Sequence, residues 1–197
     1  MWDQRYSAEG FLFGTEPAAF VKAHAHLLIR GQKALCVADG EGRNSVFLAE
    51  QGVDVTAMDA SPVGVDKARQ LAAERGVAID FHIADILSWE WTPDSYDIVL
   101  AVFFQFLTPD QRPAVFEGLK RTLRPGGYLL LHGYRPEQVD YGTGGPPYRE
   151  NMYTVDLLRQ AFGDLTIERL AAYDVVIKEG TGHDGISALI DLVAKKP

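Results

Sequence analysis

The 197 residues are 47% hydrophobic and 23% charged, the balance of a folded domain and not of a disordered, collagenous or coiled-coil chain. Nineteen Lys and Arg against 27 Asp and Glu leave a formal charge of −8, which argues against a nucleic-acid backbone as partner. The single cysteine, Cys36, excludes an internal disulfide and any multi-cysteine metal site, and no apolar run approaches the ~18 residues of a membrane span.

Short β-branched runs alternate with helical patterns, the rhythm of a parallel sheet covered by helices. Thr15 with Pro17 behind it predicts a helix through Phe20, Val21 and Leu27-Leu28. Lys33–Ala38 reads as the first buried strand, Gly40-Glu41-Gly42 as a turn, and Asn44–Gln51 as a helix ended by Gly52. Val53–Met58 is the second strand. Ser61 then caps a helix with Pro62 in its first turn and Val65, Ala68, Leu71 and Ala72 on one face. Val77–Ile83 and Tyr96–Phe103 follow as strands, the latter apolar nearly throughout, as a central parallel strand should be. A helix is expected between Thr108 and Thr122, broken by Leu123–Gly127, and Tyr128–His132 is the fifth strand. Pro136–Glu150, rich in Gly and Pro, reads as a surface loop, and a short helix starts near Thr154. Leu165–Lys178 and Ile186–Ala194 lie too close together for a crossover and predict an antiparallel hairpin.

Gly40-x-Gly42 falls between a strand and a helix, where glycine lets backbone approach a ligand at the helix N-terminus. Asp59 closes the second strand 19 residues after Gly40, a position from which a carboxylate accepts from ribose hydroxyls. Each feature alone caps many ordinary strands. Together they favour a nucleoside-bearing ligand. A dinucleotide enzyme would continue with parallel units instead of the terminal hairpin, and no Gly-x-x-x-x-Gly-Lys run exists for a P-loop.

These stretches resemble those of class I S-adenosylmethionine-dependent methyltransferases, nearest the tellurite-resistance type and related small-molecule enzymes. Trp2-Asp3-x-Arg5-Tyr6 and Phe13-Gly14-x-Glu16-Pro17 resemble that group's N-terminal lid. Gly40-Glu41-Gly42-Arg43-Asn44, Val55–Pro62, Ala84-Asp85-Ile86 and Leu123–Gly127 resemble its successive motifs. Tyr141–Pro146 and Glu179-Gly180-x-x-His183-x-Gly185 are the more specific of the matching stretches. The resemblance implies a Rossmann-like α/β fold: a seven-stranded, mostly parallel sheet with an antiparallel last strand and helices on both faces. It also implies one domain over residues 1–197, with a lid over 1–30, a cofactor-binding half over 31–135 and an acceptor side over 136–197. One departure stands out: Cys36 and Ala38 occupy positions where the first motif usually has an acid and a glycine. Asp39, next to Gly40, is the nearest carboxylate.

By the same resemblance, Gly40 and Gly42 would bring backbone against S-adenosylmethionine and Asp59 would bind its ribose, with Ala60 beside the adenine. Asp85 would accept from the adenine amino group, and Ile86 would donate through its N–H. Val102 and Phe103 would floor the site, and Tyr6 and Arg43 would reach the methionine carboxylate. His183 is the candidate catalytic residue, a base for an oxygen or nitrogen acceptor, whereas a soft sulfur, selenium or tellurium nucleophile needs none. The expected function is methyl transfer to a small molecule, a thiol or chalcogen compound, by a monomer or homodimer in the cytoplasm. No nucleic acid, membrane or metal takes part in this reading. Two other readings stay open: a cofactor-binding protein with degraded catalysis, suggested by Cys36 and Ala38, and an NAD-type oxidoreductase.

Overall fold

The computed structural model describes residues 2–197. Seven strands form one sheet: β1 (Lys33–Val37), β2 (Asp54–Asp59), β3 (Asp80–Ile83), β4 (Tyr96–Val102), β5 (Leu123–Tyr134), β6 (Thr166–Glu179) and β7 (His183–Lys195). Their order is β3-β2-β1-β4-β5-β7-β6. The chain divides into two compact units, one running to Glu90 with Glu179–Gly182 added, the other holding Trp91–Lys178 and His183–Pro197.

In the first unit β1 pairs parallel with β2, Leu35 opposite Thr56, and β2 pairs parallel with β3. Parallel neighbours need crossovers, which α3 (Arg43–Glu50) and α4 (Pro62–Glu74) supply. Leu35, Val37, Val55 and Met58 are buried on the strands, and Val46, Leu71 and Ala72 pack with Phe11, Val77, Ile79 and Phe81. The α4 cap is the one its sequence promises: the Ser61 hydroxyl accepts from the Gly64 N–H at 3.1 Å, and Pro62 opens the first turn. Two short helices precede β1, α1 (Trp2–Tyr6) and α2 (Ala19–Ala23), the second followed by a 3-10 turn over Ala25–Leu27. The single helix expected from Thr15 to Leu28 is therefore shorter and broken, since His24 leaves helical geometry.

Gly42 is the tightest backbone point of this unit. Its φ is +87°, and a Cβ there would stand 2.6 Å from Ala68 Cβ and 2.9 Å from Ala68 Cα. Because α4 backbone cannot retreat, Gly42→Ala should cost about 3 kcal/mol from strain and overpacking together. Thermal unfolding should show this as a Tm lowered by roughly 10 °C.

In the second unit β4 pairs parallel with β5, and β5 pairs antiparallel with β7, Leu130 opposite Val193 and His132 opposite Asp191. The β5 strand starts at Leu123, earlier than the expected Tyr128, because Leu123 already pairs with Tyr96 before a register shift. Helix α5 (Arg112–Thr122) precedes it; α6 (Gln138–Tyr141) occupies the expected loop, and α7 (Val155–Phe162) follows with Thr154 as cap. Phe104, Phe116, Tyr153 and Phe162 form a buried aromatic chain, with Phe116 and Phe162 ring centroids 4.8 Å apart. Among the described residues no helix is long and apolar enough to cross a membrane.

Candidate functional site

In the first unit the site grows from the ends of β1 and β2. Val37 ends β1, and the next residue, Ala38, takes φ +50°, a left-handed turn that costs a side-chain residue about 1 kcal/mol. Gly40 and Gly42 continue at φ +60° and +87°, and α3 begins with no side-chain cap. Asp59 closes β2 with both oxygens engaged: Oδ2 accepts from the Gly40 N–H at 2.9 Å and Oδ1 from the Ser61 N–H at 2.8 Å. Each carboxylate oxygen has a second lone pair, so Asp59 keeps capacity for two more donors. Burial raises its pKa, and the Asp3 carboxylate adds to that, while the N–H donors of Ser61 and Gly40 resist.

Asp39 lies beside it. Its carboxylate accepts from the Ser45 hydroxyl at 2.5 Å, and burial lifts it to about 7, with Asp59 pushing the same way. Two neighbouring carboxylates drawn out of water make a cradle short of positive charge and of donors. S-adenosylmethionine carries what such a cradle lacks, a cationic ammonium and sulfonium with a ribose diol. The acid absent at Cys36 has no stand-in there: the Cys36 thiol is fully buried in β1, and burial raises its pKa.

The remaining expected cofactor residues of this unit are placed as follows. Ala60 is exposed between Asp59 and Ser61; Asp85 is exposed, its Oδ1 holding the Leu87 N–H at 2.9 Å, and Ile86 is buried. The Tyr6 ring lies over the glycine turn, so close that a Cβ on Gly40 would meet its hydroxyl at 2.7 Å. Burial and then Asp59 keep that phenol protonated, with a pKa raised well above the ordinary tyrosine value. Arg43 is engaged within the protein: it donates to Glu179 at 2.8 Å and to the Phe13 carbonyl at 3.3 Å. Glu41 accepts from the Leu12 N–H and from Lys67, and the Thr181 and Gly182 N–H groups reach the Leu12 carbonyl. Glu41 and Arg43 thus fasten the N-terminal segment and the β6–β7 turn.

In the second unit Val102 ends β4, and Phe103 follows at φ +54°. The Phe103 ring has three aromatic neighbours, His132 at 4.8 Å, Tyr134 at 4.8 Å and His183 at 4.4 Å between centroids. His183, the expected catalytic residue, opens β7 and is buried. His132 donates from Nδ1 to Asp191 at 2.7 Å, and Asp191 also accepts from Tyr173 and Arg169. Burial pulls Asp191 upward, but the donors led by His132 outweigh it and hold the carboxyl below its ordinary range.

Residues 34–127 match the family described as methyltransferase domain. Over those residues the chain is similar to a methyltransferase domain. The sequence is 34% identical over 171 residues to Hemagglutinin 1 of Eikenella corrodens, covering 84% of this chain and 55% of that protein. The chain spans about half the length of the curated relatives it matches. A solved structure described as converting a disulfide bond into a thioacetal group during echinomycin biosynthesis superposes with a TM-score of 0.76. Its identity is 21%, over 98% of this chain and 88% of that one. TehB from Haemophilus influenzae superposes with a TM-score of 0.73 at 20% identity, over 90% of this chain and 61% of that one. These structures share the fold, and the expected seven-stranded Rossmann-like sheet is the one the methyltransferase domain has.

Two residues of the second unit, His132 and Asp191, are paired in a way that local sequence shows only indirectly. Asp191 is the only acid in the run from Ile190 to Ala194, and His132 directly follows Leu129-Leu130-Leu131. A lone ionisable group in an apolar strand is costly unless paired, and that was the available signal.

Proposed function

We propose that this protein transfers a methyl group from S-adenosylmethionine to a small soft acceptor, a thiol or chalcogen compound. The observation that carries the first half is the Asp59 carboxylate, fixed by Gly40 and Ser61 at the end of β2 with lone pairs to spare for a ribose diol. Asp39 supplies the second anion of the cradle. In this reading Gly40 and Gly42 admit the cofactor's amino-acid portion, and Asp85 and Ile86 take the adenine edge beside Ala60. Tyr6 covers the turn as part of a lid, and Arg43, tied to Glu179, anchors that lid instead of binding the methionine carboxylate.

When bound, the cofactor supplies an electrophilic methyl on a sulfonium, so the protein's task is mostly in-line placement of the nucleophile. Val102 and Phe103 would floor the acceptor, with His183 against the Phe103 ring as its neighbour. The acceptor reading rests on the character of these groups: aromatic rings and imidazoles suit a soft, uncharged nucleophile better than a charged one. The echinomycin enzyme, described as acting on a disulfide, is in keeping with sulfur chemistry on this fold.

Thermal unfolding with S-adenosylmethionine, S-adenosylhomocysteine or NAD tests the cofactor half. Ligand at ~100 times its Kd should stabilise by about 2.7 kcal/mol, several degrees here, for the two adenosyl ligands and not for NAD. Mass spectrometry of reactions with phenylmethanethiol tests the other half, the expected product being its methyl thioether. A shift with NAD alone, or no thioether in the presence of bound cofactor, overturns the corresponding half.

A further inference from the structure

The two edge strands of the sheet are very unequal. At one edge β3 has only 4 residues and offers little for another strand to pair with. At the other edge β6 runs for 14 residues, Thr166–Glu179, with neither proline nor glycine. An edge strand presents a row of N–H and C=O groups to any strand that can align with them, and a long apolar one is a site for pairing with another chain.

The second half of β6 reads Asp174-Val175-Val176-Ile177-Lys178, three β-branched residues between opposite charges. Alternation along the strand sets Asp174, Val176 and Lys178 on one face, and all three are exposed, Val176 at 71%. Ile177 faces the other way and is buried with Tyr134, Met152 and Leu189, while Val175 on that same face stays 41% exposed. The two charges differ in their surroundings. Asp174 accepts from Arg135 and, at 2.9 Å, from the Tyr141 hydroxyl. Glu137 also reaches Arg135, at 3.7 Å, so this group of three keeps a net negative charge. Lys178 makes no hydrogen bond or ion pair among the described residues.

We propose that β6 is a self-pairing edge, through which two copies of this chain join antiparallel about a two-fold axis at Val176. In that register Val176 stands opposite Val176, and Val175 gains an apolar neighbour in the partner's Ile177. Each Lys178 stands opposite the partner's Asp174, so the unpartnered ammonium meets the group with a negative charge to spare. A two-fold contact uses one patch twice, and a patch that carries both charges at equal distances from its centre complements itself. Parallel pairing in register would set Asp174 against Asp174 and Lys178 against Lys178, which repels. Moving the axis to Val175 would set Asp174 against Val176 and Lys178 against Ala172, losing both ion pairs. The pairing is independent of which acceptor the protein methylates.

Sedimentation velocity of the full chain tests this. Between about 5 and about 300 µM the mean mass should rise from monomer toward dimer, with a Kd of about 10–100 µM for so small a contact. Lys178→Glu sets like charges opposite each other twice and should raise that Kd by about tenfold or more, with the Tm unchanged. Val176→Cys tests the register. Directly opposed Cα atoms stand about 4.5–5.5 Å apart, within disulfide reach, so this variant should form a covalent dimer under mild oxidation. Lys178→Cys, about 13 Å from its own copy, should not. Cys36 is buried and supplies no competing thiol. A chain that stays monomeric at about 300 µM overturns the proposal. So does a dimer whose Kd Lys178→Glu leaves unchanged, or one that Val176→Cys does not cross-link, since its interface then lies elsewhere.

Discussion

Asp59→Ala should weaken S-adenosylhomocysteine binding by about 1,000-fold. The expected loss is two charge-assisted hydrogen bonds to the ribose diol, each worth about 2 kcal/mol, and every 1.4 kcal/mol is tenfold in affinity. The same substitution removes the acceptor of the Gly40 and Ser61 N–H groups, which hold the glycine turn and the start of α4. Cofactor-free protein should therefore lose about 2 kcal/mol of stability as well. Isothermal calorimetry and thermal unfolding separate the two effects. A stable variant whose Kd moves less than tenfold would remove Asp59 from the cofactor site and leave it a purely structural clamp.

The turn that Asp59 clamps was legible in sequence, while the contacts of the N-terminal segment were not. Asp59 sits at the end of a strand, Gly40 and Gly42 follow another, and Ser61-Pro62 opens a helix; each is a local signal with a local cause. What Arg43 does is not local. Its partner Glu179 lies 136 residues away, and no pattern around Gly42 indicates that the guanidinium turns to the protein itself. Glu41 is similar, since its contacts with Leu12 and Lys67 depend on how the N-terminal segment lies across α4. Arg43 was expected to reach the methionine carboxylate; in the structure its guanidinium donates to Glu179.

The fold shows the same division. Strand cores such as Ile98–Ala101 and helix caps such as Ser61 and Thr154 were set by neighbours in sequence. The start of β5 was not, because Leu123 extends only by pairing with Tyr96 across a shifted register, and Pro125-Gly126-Gly127 hides that continuity. The His132–Asp191 pair needs the β5–β7 register, fixed only when two strands 59 residues apart align.

Asp39 gives the second large expected effect. Burial holds its carboxyl at about 7 in the cofactor-free protein, against an ordinary value near 3.8. Between those values the folded protein holds a proton that the unfolded chain has released, so stability falls as pH rises from about 4 to about 7 and stays reduced above. The full shift sets a ceiling of ~4 kcal/mol, and partial contact with water brings the expected cost to about 2 kcal/mol. Asp39→Asn keeps an acceptor for Ser45 but not the charge, so it should raise the Tm of cofactor-free protein at pH 8 and leave it nearly unchanged at pH 4. Binding should move the other way. A cationic ammonium or sulfonium in the cradle favours the ionised carboxylate, so wild-type affinity for S-adenosylmethionine should rise with pH up to about 7 and then level off. The variant should bind about 30-fold more weakly at pH 8, the worth of one charge-assisted contact, with a flat pH profile. If wild type and Asp39→Asn share one pH profile, Asp39 does not face the cofactor's positive charge. The function lost with the acid at Cys36 would then have no substitute in the turn. If the profiles diverge as expected, the departure at Cys36 is a relocation of the anion by three residues, and the strained backbone at Ala38 is what turns Asp39 into place.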